Sequence, residues 1–227
     1  MRYQFDFSFL AQTWPTFVGG AWLTIKLTIV SIALGFALGT ICAVLRVYAH
    51  PWFGWLVGAY VEIIRNTPLL VQIFIVYFGI ASLGLKFSAE TSAVIALVIN
   101  VGAYTTEIMR AGLESVSKTQ IEAGDCLGLS RLQVITQVVP LPAIERVYPA
   151  LTSQFVLLML ASSITSQISA EELTAVANVI QSDTYRSFEV YVVVAVVYLL
   201  LSFLYRLGFW GLGLVLFSRR RRLGTAL

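Results

Sequence analysis

Charge is scarce in this chain. Only 12% of its 227 residues are Asp, Glu, Lys or Arg, about half the share usual in soluble domains. Soft metal ligands are scarcer still: two cysteines, Cys42 and Cys126, and one histidine, His50. Cys42 lies in an apolar run, Cys126 in a polar segment, and His50 beside Pro51 in a turn. That placement suits neither a disulfide frame nor a zinc site, and no metal site is expected. The sequence has no Gly-x-x-x-x-Gly-Lys-Ser/Thr loop to cradle the phosphates of ATP. It has no Ser–His or Cys–His arrangement for nucleophilic catalysis. A self-contained enzyme is excluded by this reading, and no catalytic residue or bound cofactor is assigned to the chain. A cleavable signal is not expected either, since Asp6, Gln12 and Pro15 interrupt any apolar core before Gly19.

What the chain has in quantity is apolar surface. Hydrophobic residues make up 58% and the mean hydropathy is +0.84. Apolar runs of about twenty residues recur, each able to cross a hydrocarbon core of about 30 Å. The short alternating segments of a barrel are lacking, so the fold class is all-α integral membrane with five transmembrane helices. The expected spans are 22–45, 56–83, 93–113, 143–168 and 191–216, the last two joined by a polar loop up to Phe188. Residues 1–17, with Phe5, Phe7, Phe9, Leu10, Trp14 and Phe17, read as an interfacial segment. The first span carries Gly35-x-x-x-Gly39, a small-residue face suited to close helix contact.

Five spans put the termini on opposite sides. With the C-terminus cytoplasmic, the inner segments hold Arg46, Arg110, Lys118, Arg131, Arg146 and Arg219 to Arg222. The outer ones then hold only Arg2, Lys86 and Arg186, with Lys26 near that boundary. The positive-inside rule therefore places the N-terminus outside and residues 114–142 in the cytoplasm. The arginine run in the tail, 217–227, reads as a cationic anchor and not as a nucleic-acid site.

The cytoplasmic segment "IEAGDCLGLSRLQVITQVVPLPA" is polar in an apolar chain. Thr119-x-x-Glu122 and Ser130-x-x-Gln133 fit capping boxes. Gly128 can take the left-handed conformation that stops a helix. Leu132, Ile135 and Val139 recur on one face, and Pro140 and Pro142 are expected to end the second helix. A compact, nearly neutral helical hairpin projecting from a membrane domain is suited to docking on another protein.

Here the sequence resembles a known family. Glu122-Ala123-Gly124, three residues, Gly128, then "VVPLPA" is similar to the EAA motif of ABC importer permeases. "YVEIIRNTPLLVQIFIVYFG", "NVGAYTTEIMRAGLESVSKTQIEAG" and "FEVYVVVAVVYLLLSFL" resemble the spans of the polar amino-acid uptake permeases, in order. The resemblance implies a type I ABC importer transmembrane domain over 18–216, with 114–142 forming the cytoplasmic coupling helix. It implies coupling roles for Glu122, Ala123, Gly124, Asp125, Leu127 and Gly128. The implied partners are two ABC ATPase subunits that bind ATP and Mg, a second permease subunit, a periplasmic or lipid-anchored substrate-binding protein, and membrane lipid. Two departures stand out. Gly124 replaces the second alanine of the motif, and "PLP" at 140–142 moves its Leu-Pro one residue later. A third lies in the fourth span: Leu160 and Ala161 occupy the positions of a Lys-Asp pair implicated in substrate contact. Either a different partner chain keeps that pair, giving a heterodimer, or the substrate differs.

Within the spans, polar residues are costly and need a reason. Glu62 with Arg65, and Glu107 with Arg110, are spaced i, i+3 and read as structural ion pairs. Pro68 makes a kinked patch with Thr67 and Gln72. These two, with Asn100, Tyr104, Ser162 and Ser163, are the candidate substrate pathway; interhelical hydrogen bonding is the alternative. The expected function is the permease of an ATP-driven importer for a polar amino acid or a related small amine or opine, in the bacterial inner membrane. An ion-gradient-driven secondary transporter is the rival.

Overall fold

The computed structural model describes residues 5–217; Arg2 and Arg219 to Arg222 lie outside the described residues. Among the described residues every regular element is helical. Four helices are long and apolar enough to cross a membrane: α1 (Leu10–Tyr48), α4 (Ala89–Glu114), α7 (Pro140–Ala161, continued by a 3-10 segment, Ser162–Ile168) and α9 (Ser187–Leu216). A fifth span is reached if α2 (Pro51–Arg65) and α3 (Leu69–Ser82) are taken together.

Several boundaries differ from the sequence reading. The interfacial segment is not separate from the first span, because α1 runs unbroken from Leu10 with Pro15 inside it. The second span is broken outright at Asn66-Thr67-Pro68. Pro68 is extended, at φ −64° and ψ 138°, and its ring disfavours helix at the preceding residue. The loop before Phe188 contains a helix, α8 (Leu173–Thr184). Pro140 and Pro142 do not end a helix. They open α7, where a missing N–H is one of the unpaired donors in any case.

The chain forms two compact units. One comprises the chain up to Ile32, Pro68–Leu97 and Val156–Leu207. Its core gathers Ile73, Ala93, Ala96, Ile168 and Ala170, with Phe74, Tyr77 and Ile164 against them. Beside it lies a buried polar knot. Glu172, wholly buried, caps α8 by accepting from the amide of Ala175 at 3.0 Å and from the hydroxyl of Tyr198 at 2.8 Å. The hydroxyl of Thr24 accepts from the amide of Leu173 at 3.2 Å. Near the start of the chain, Arg186 pairs with Asp6 at 2.8 Å and with buried Glu189 at 3.5 Å.

The other unit comprises Ala33–Thr67, Val98–Phe155 and the chain from Gly208. Here Gly35 and Gly39 press α1 onto α4. A Cβ on Gly39 would stand 2.5 Å from Thr105 Cβ and 2.7 Å from the Gly102 carbonyl. On α4's other flank the Tyr60 hydroxyl donates to the Ile99 carbonyl at 2.6 Å, and Val57, Val61 and Ala103 close the contact. Within the first unit, the outward face of α9, including Leu199, Leu200, Phe203, Leu204 and Leu207, is exposed and apolar, as hydrocarbon requires.

Two outcomes follow from this packing. Gly39→Ala should lower stability by about 1–3 kcal/mol, the usual range for overpacking a tight core, measured by thermal unfolding in detergent. Burial raises the pKa of Glu172 above the ordinary carboxylate range, against the lowering pull of its hydrogen-bond donors. A raised acid is stabilised protonated, so its contribution is complete at low pH and fades as pH climbs through the shifted value. Melts from pH 5 to 8 should therefore show a downward drift in the wild type that Glu172→Gln lacks.

Candidate functional site: a capped hairpin and a charged cluster

The hairpin is built to stand on its own. Its first helix, α5 (Lys118–Cys126), is capped by Ser117 and not by Thr119, and the Ser117 side chain makes no capping bond. Thr119 therefore sits inside the helix, and the expected Thr119–Glu122 box is not formed. Its other end is closed tightly. Gly128 has φ +76°, the Leu129 amide donates to the Gly124 carbonyl at 3.2 Å, and the Gly128 amide donates to the Asp125 carbonyl at 3.0 Å. These are the two bonds of a Schellman stop. The next helix, α6 (Arg131–Gln133), begins with the expected box: Ser130 and Gln133 satisfy each other's amides.

The turn between α5 and α6 is thus closed by its own bonds, and the hairpin presents most of its side chains outward. Glu122, Ala123, Asp125 and Cys126 are exposed, and only Gly124 of α5 is buried. The tip carries Leu127, 81% exposed, and Leu132, 70% exposed. Both stand on an otherwise polar element. Tyr48, Ile121, Asp125, Arg131 and Ile135 line an adjoining cavity of about 360 Å³.

The i, i+3 pairs have different fates. Glu107 and Arg110 are joined at 3.0 Å. Arg110 also reaches Glu114 at 2.7 Å, and Arg46 binds the other oxygen of Glu107. Arg46 entered the sequence reading only as a topology charge. It stands 61 residues from Glu107, so no local spacing could reveal the bond. Glu62 and Arg65 do not pair; among the described residues no ion pair joins them. Asn66 donates to Glu62 at 2.9 Å, and the guanidinium of Arg65 lies over the Tyr104 ring, 5.4 Å from its centroid, a cation–π contact.

The candidate pathway residues divide between the two units. Thr67, Asn100 and Tyr104 belong to one; Gln72, Ser162 and Ser163 belong to the other. Asn100 and Tyr104 are one turn apart on α4. Asn100 and Gln72 are buried and already engaged. The hydroxyls of Thr67, Ser162 and Ser163 all donate to carbonyls of their own helices, Ile63, Met159 and Leu160, at 2.7–2.8 Å. Ser162 is fully buried. Tyr60, Thr24, Glu172 and Tyr198 escaped the sequence reading. Only Glu172 left a local signal, an acidic residue before an apolar helical start.

Residues 35–209 match the family described as the inner membrane component of binding-protein-dependent transport systems. The chain belongs to that family. This permease is 34% identical to the octopine transport system permease protein OccM of Rhizobium radiobacter, over 96% of this chain and 92% of that one. It is 33% identical to the glutamine transport system permease protein GlnP of Escherichia coli K12, over 88% and 92%. A solved amino acid ABC transporter, crystallised with histidines, is 34% identical with a TM-score of 0.83, covering 96% of the permease and all of that chain. The inward-facing MetNI methionine transporter, at 20% identity and a TM-score of 0.78, shares the fold. The permease thus has the type I ABC importer transmembrane fold.

Because Glu107 holds two arginines while Glu62 holds only a neighbouring amide, Glu107→Gln should destabilise the permease by about 2 kcal/mol, between exposed and buried ion pairs. Glu62→Gln should change it by less than about 0.5 kcal/mol. Thermal melts of the two variants check the contrast.

Proposed function

We propose that this permease carries a polar amino acid, or a related small amine or opine, inward across the bacterial inner membrane by ATP-driven alternating access. The observation that carries the reading is the self-capped hairpin with Leu127 and Leu132 exposed at its tip. An element whose turn is closed by its own Schellman stop and capping box, yet which displays apolar side chains, is suited to docking. Glu122, Ala123, Asp125 and Leu127 form its exposed face, Gly124 its buried seat and Gly128 its turn. The two ATPase subunits that bind ATP and Mg would meet that face. Closure of the ATPase pair would draw the hairpins together and open the spans toward a loaded binding protein outside; hydrolysis would reset them. The substrate class follows the amino-acid and opine relatives.

The orientation proposed is N-terminus outside and C-terminus cytoplasmic, from the distribution of Lys and Arg. The second permease half is proposed to be a different chain. Leu160, 40% exposed, and Ala161 offer a zwitterion no charge, so a partner must supply it. Asn100 and Tyr104 are the side chains of this chain proposed to face the path.

Proteoliposomes holding the permease with its ATPase and binding protein should take up a labelled amino acid or opine on ATP addition after ionophores have collapsed every ion gradient. Uptake that dies with the gradients would instead support an ion-driven secondary transporter.

A further inference from the structure

Between the hairpin and α7 the chain leaves α-helical geometry. Val134–Val138 forms a π turn, in which the Val139 amide donates to the Val134 carbonyl at 3.1 Å. This i to i+5 ring holds one residue more than an α-helical turn. The two prolines that follow explain why the extra residue is stored here. Pro140 and Pro142 bring no N–H, so neither can bond back to the preceding turn. The Thr136 hydroxyl supplies a donor to the Leu132 carbonyl at 2.7 Å. The chain then restarts as α7.

A wider ring carries its side chains farther from the helix axis. Val134, 4% exposed, is turned toward α5, and what it meets there is Gly124. A Cβ on Gly124 would stand 3.1 Å from Val134 Cγ2, and 3.7 Å from both Val138 Cγ2 and Leu129 Cδ1. Carbon–carbon contacts are comfortable only at about 3.5–4.0 Å. The methyl missing from α5 is therefore the space that Val134 fills. Glycine inside a helix is otherwise a handicap of about 1 kcal/mol against alanine, so the helix is weaker at this position in exchange for the fit.

We propose that Gly124 and the π turn are a matched pair that fixes the angle at which α5 is carried, and so positions the Leu127–Leu132 tip against its ATP-hydrolysing partner. This rests on the reading of α5 as the coupling helix. Gly124 is a positioning residue: it acts through Val134. One methyl fits in the contact, on either side of it but not on both.

The test uses the full complex in proteoliposomes, with MgATP hydrolysis measured with and without saturating binding protein. Gly124→Ala is expected to cut the stimulated-to-unstimulated ratio about fivefold or more, while the KM for MgATP, set inside the ATPase, stays within about twofold. Adding Val134→Ala to Gly124→Ala is expected to restore the ratio to within about twofold of wild type, because the Val134 Cγ2 that the new methyl would crowd is gone. Deleting the exposed Gln137 shortens the ring to i to i+4, keeps the Val139–Val134 bond, and is expected to rescue Gly124→Ala as well. A Gly124→Ala complex that couples like wild type overturns the proposal, as does a double variant as poor as the single one. If Gly124→Ala fails to assemble, recovery of assembly by Val134→Ala supports the pairing and continued failure overturns it. A wild-type complex with no stimulation overturns the coupling reading itself and the positioning role with it; thermal melts of the four glycine and valine combinations still report the pairing alone.

Discussion

Hydrocarbon accepts no hydrogen bond and offers none. A chain that crosses it must satisfy its peptide groups within each segment, and α1, α4, α7 and α9 do so. Where the ladder is interrupted, a substitute has been found nearby. The hydroxyls of Thr67, Ser162 and Ser163 turn back onto carbonyls of the preceding turn, and Glu172 receives the Ala175 amide in the first turn of α8. The ion cluster around Glu107 obeys the same demand in the currency of charge, with Arg46 and Arg110 on its two oxygens. The hairpin is that rule carried into water. Its turn is closed by a Schellman stop and a capping box, so the side chains around that turn are not needed to settle the backbone there.

Two oddities of the sequence turn out to be neighbours. The late Leu-Pro and the glycine in place of alanine look independent when read along the chain. In three dimensions the π turn stands just before the late Leu-Pro, and the missing methyl of Gly124 is the space its Val134 presses into. A reader of the sequence has no means of linking them, because their contact is made across the fold of the hairpin.

Much of the architecture was legible because it depends on composition. Long apolar runs announce spans, and the glycine pair of α1 announces close packing. What stayed hidden depends on competition between partners. The spacing of Glu62 and Arg65 is the same as that of Glu107 and Arg110, yet only the second pair forms: Asn66 lies closer to Glu62, and the Tyr104 ring is available to Arg65. The helix α8 is masked in the sequence because "LTAVANVIQSDT" mixes polar and apolar residues, although Glu172 stands at its head as a start signal. Thr119 matches a cap by pattern, whereas Ser117, two residues earlier, is where the chain leaves extended geometry. Pro68 makes a full break and not the expected kink, since the ring acts on Thr67 as well as on itself.

The two thiols of the chain differ in access. Cys42 is half-buried, and Cys126 is exposed at the last turn of α5. A bulky water-soluble maleimide therefore reaches the hairpin first, with no engineered cysteine. The protein carries its own attachment point for a fluorophore beside Leu127, where the dye would sense whatever approaches that side of the hairpin.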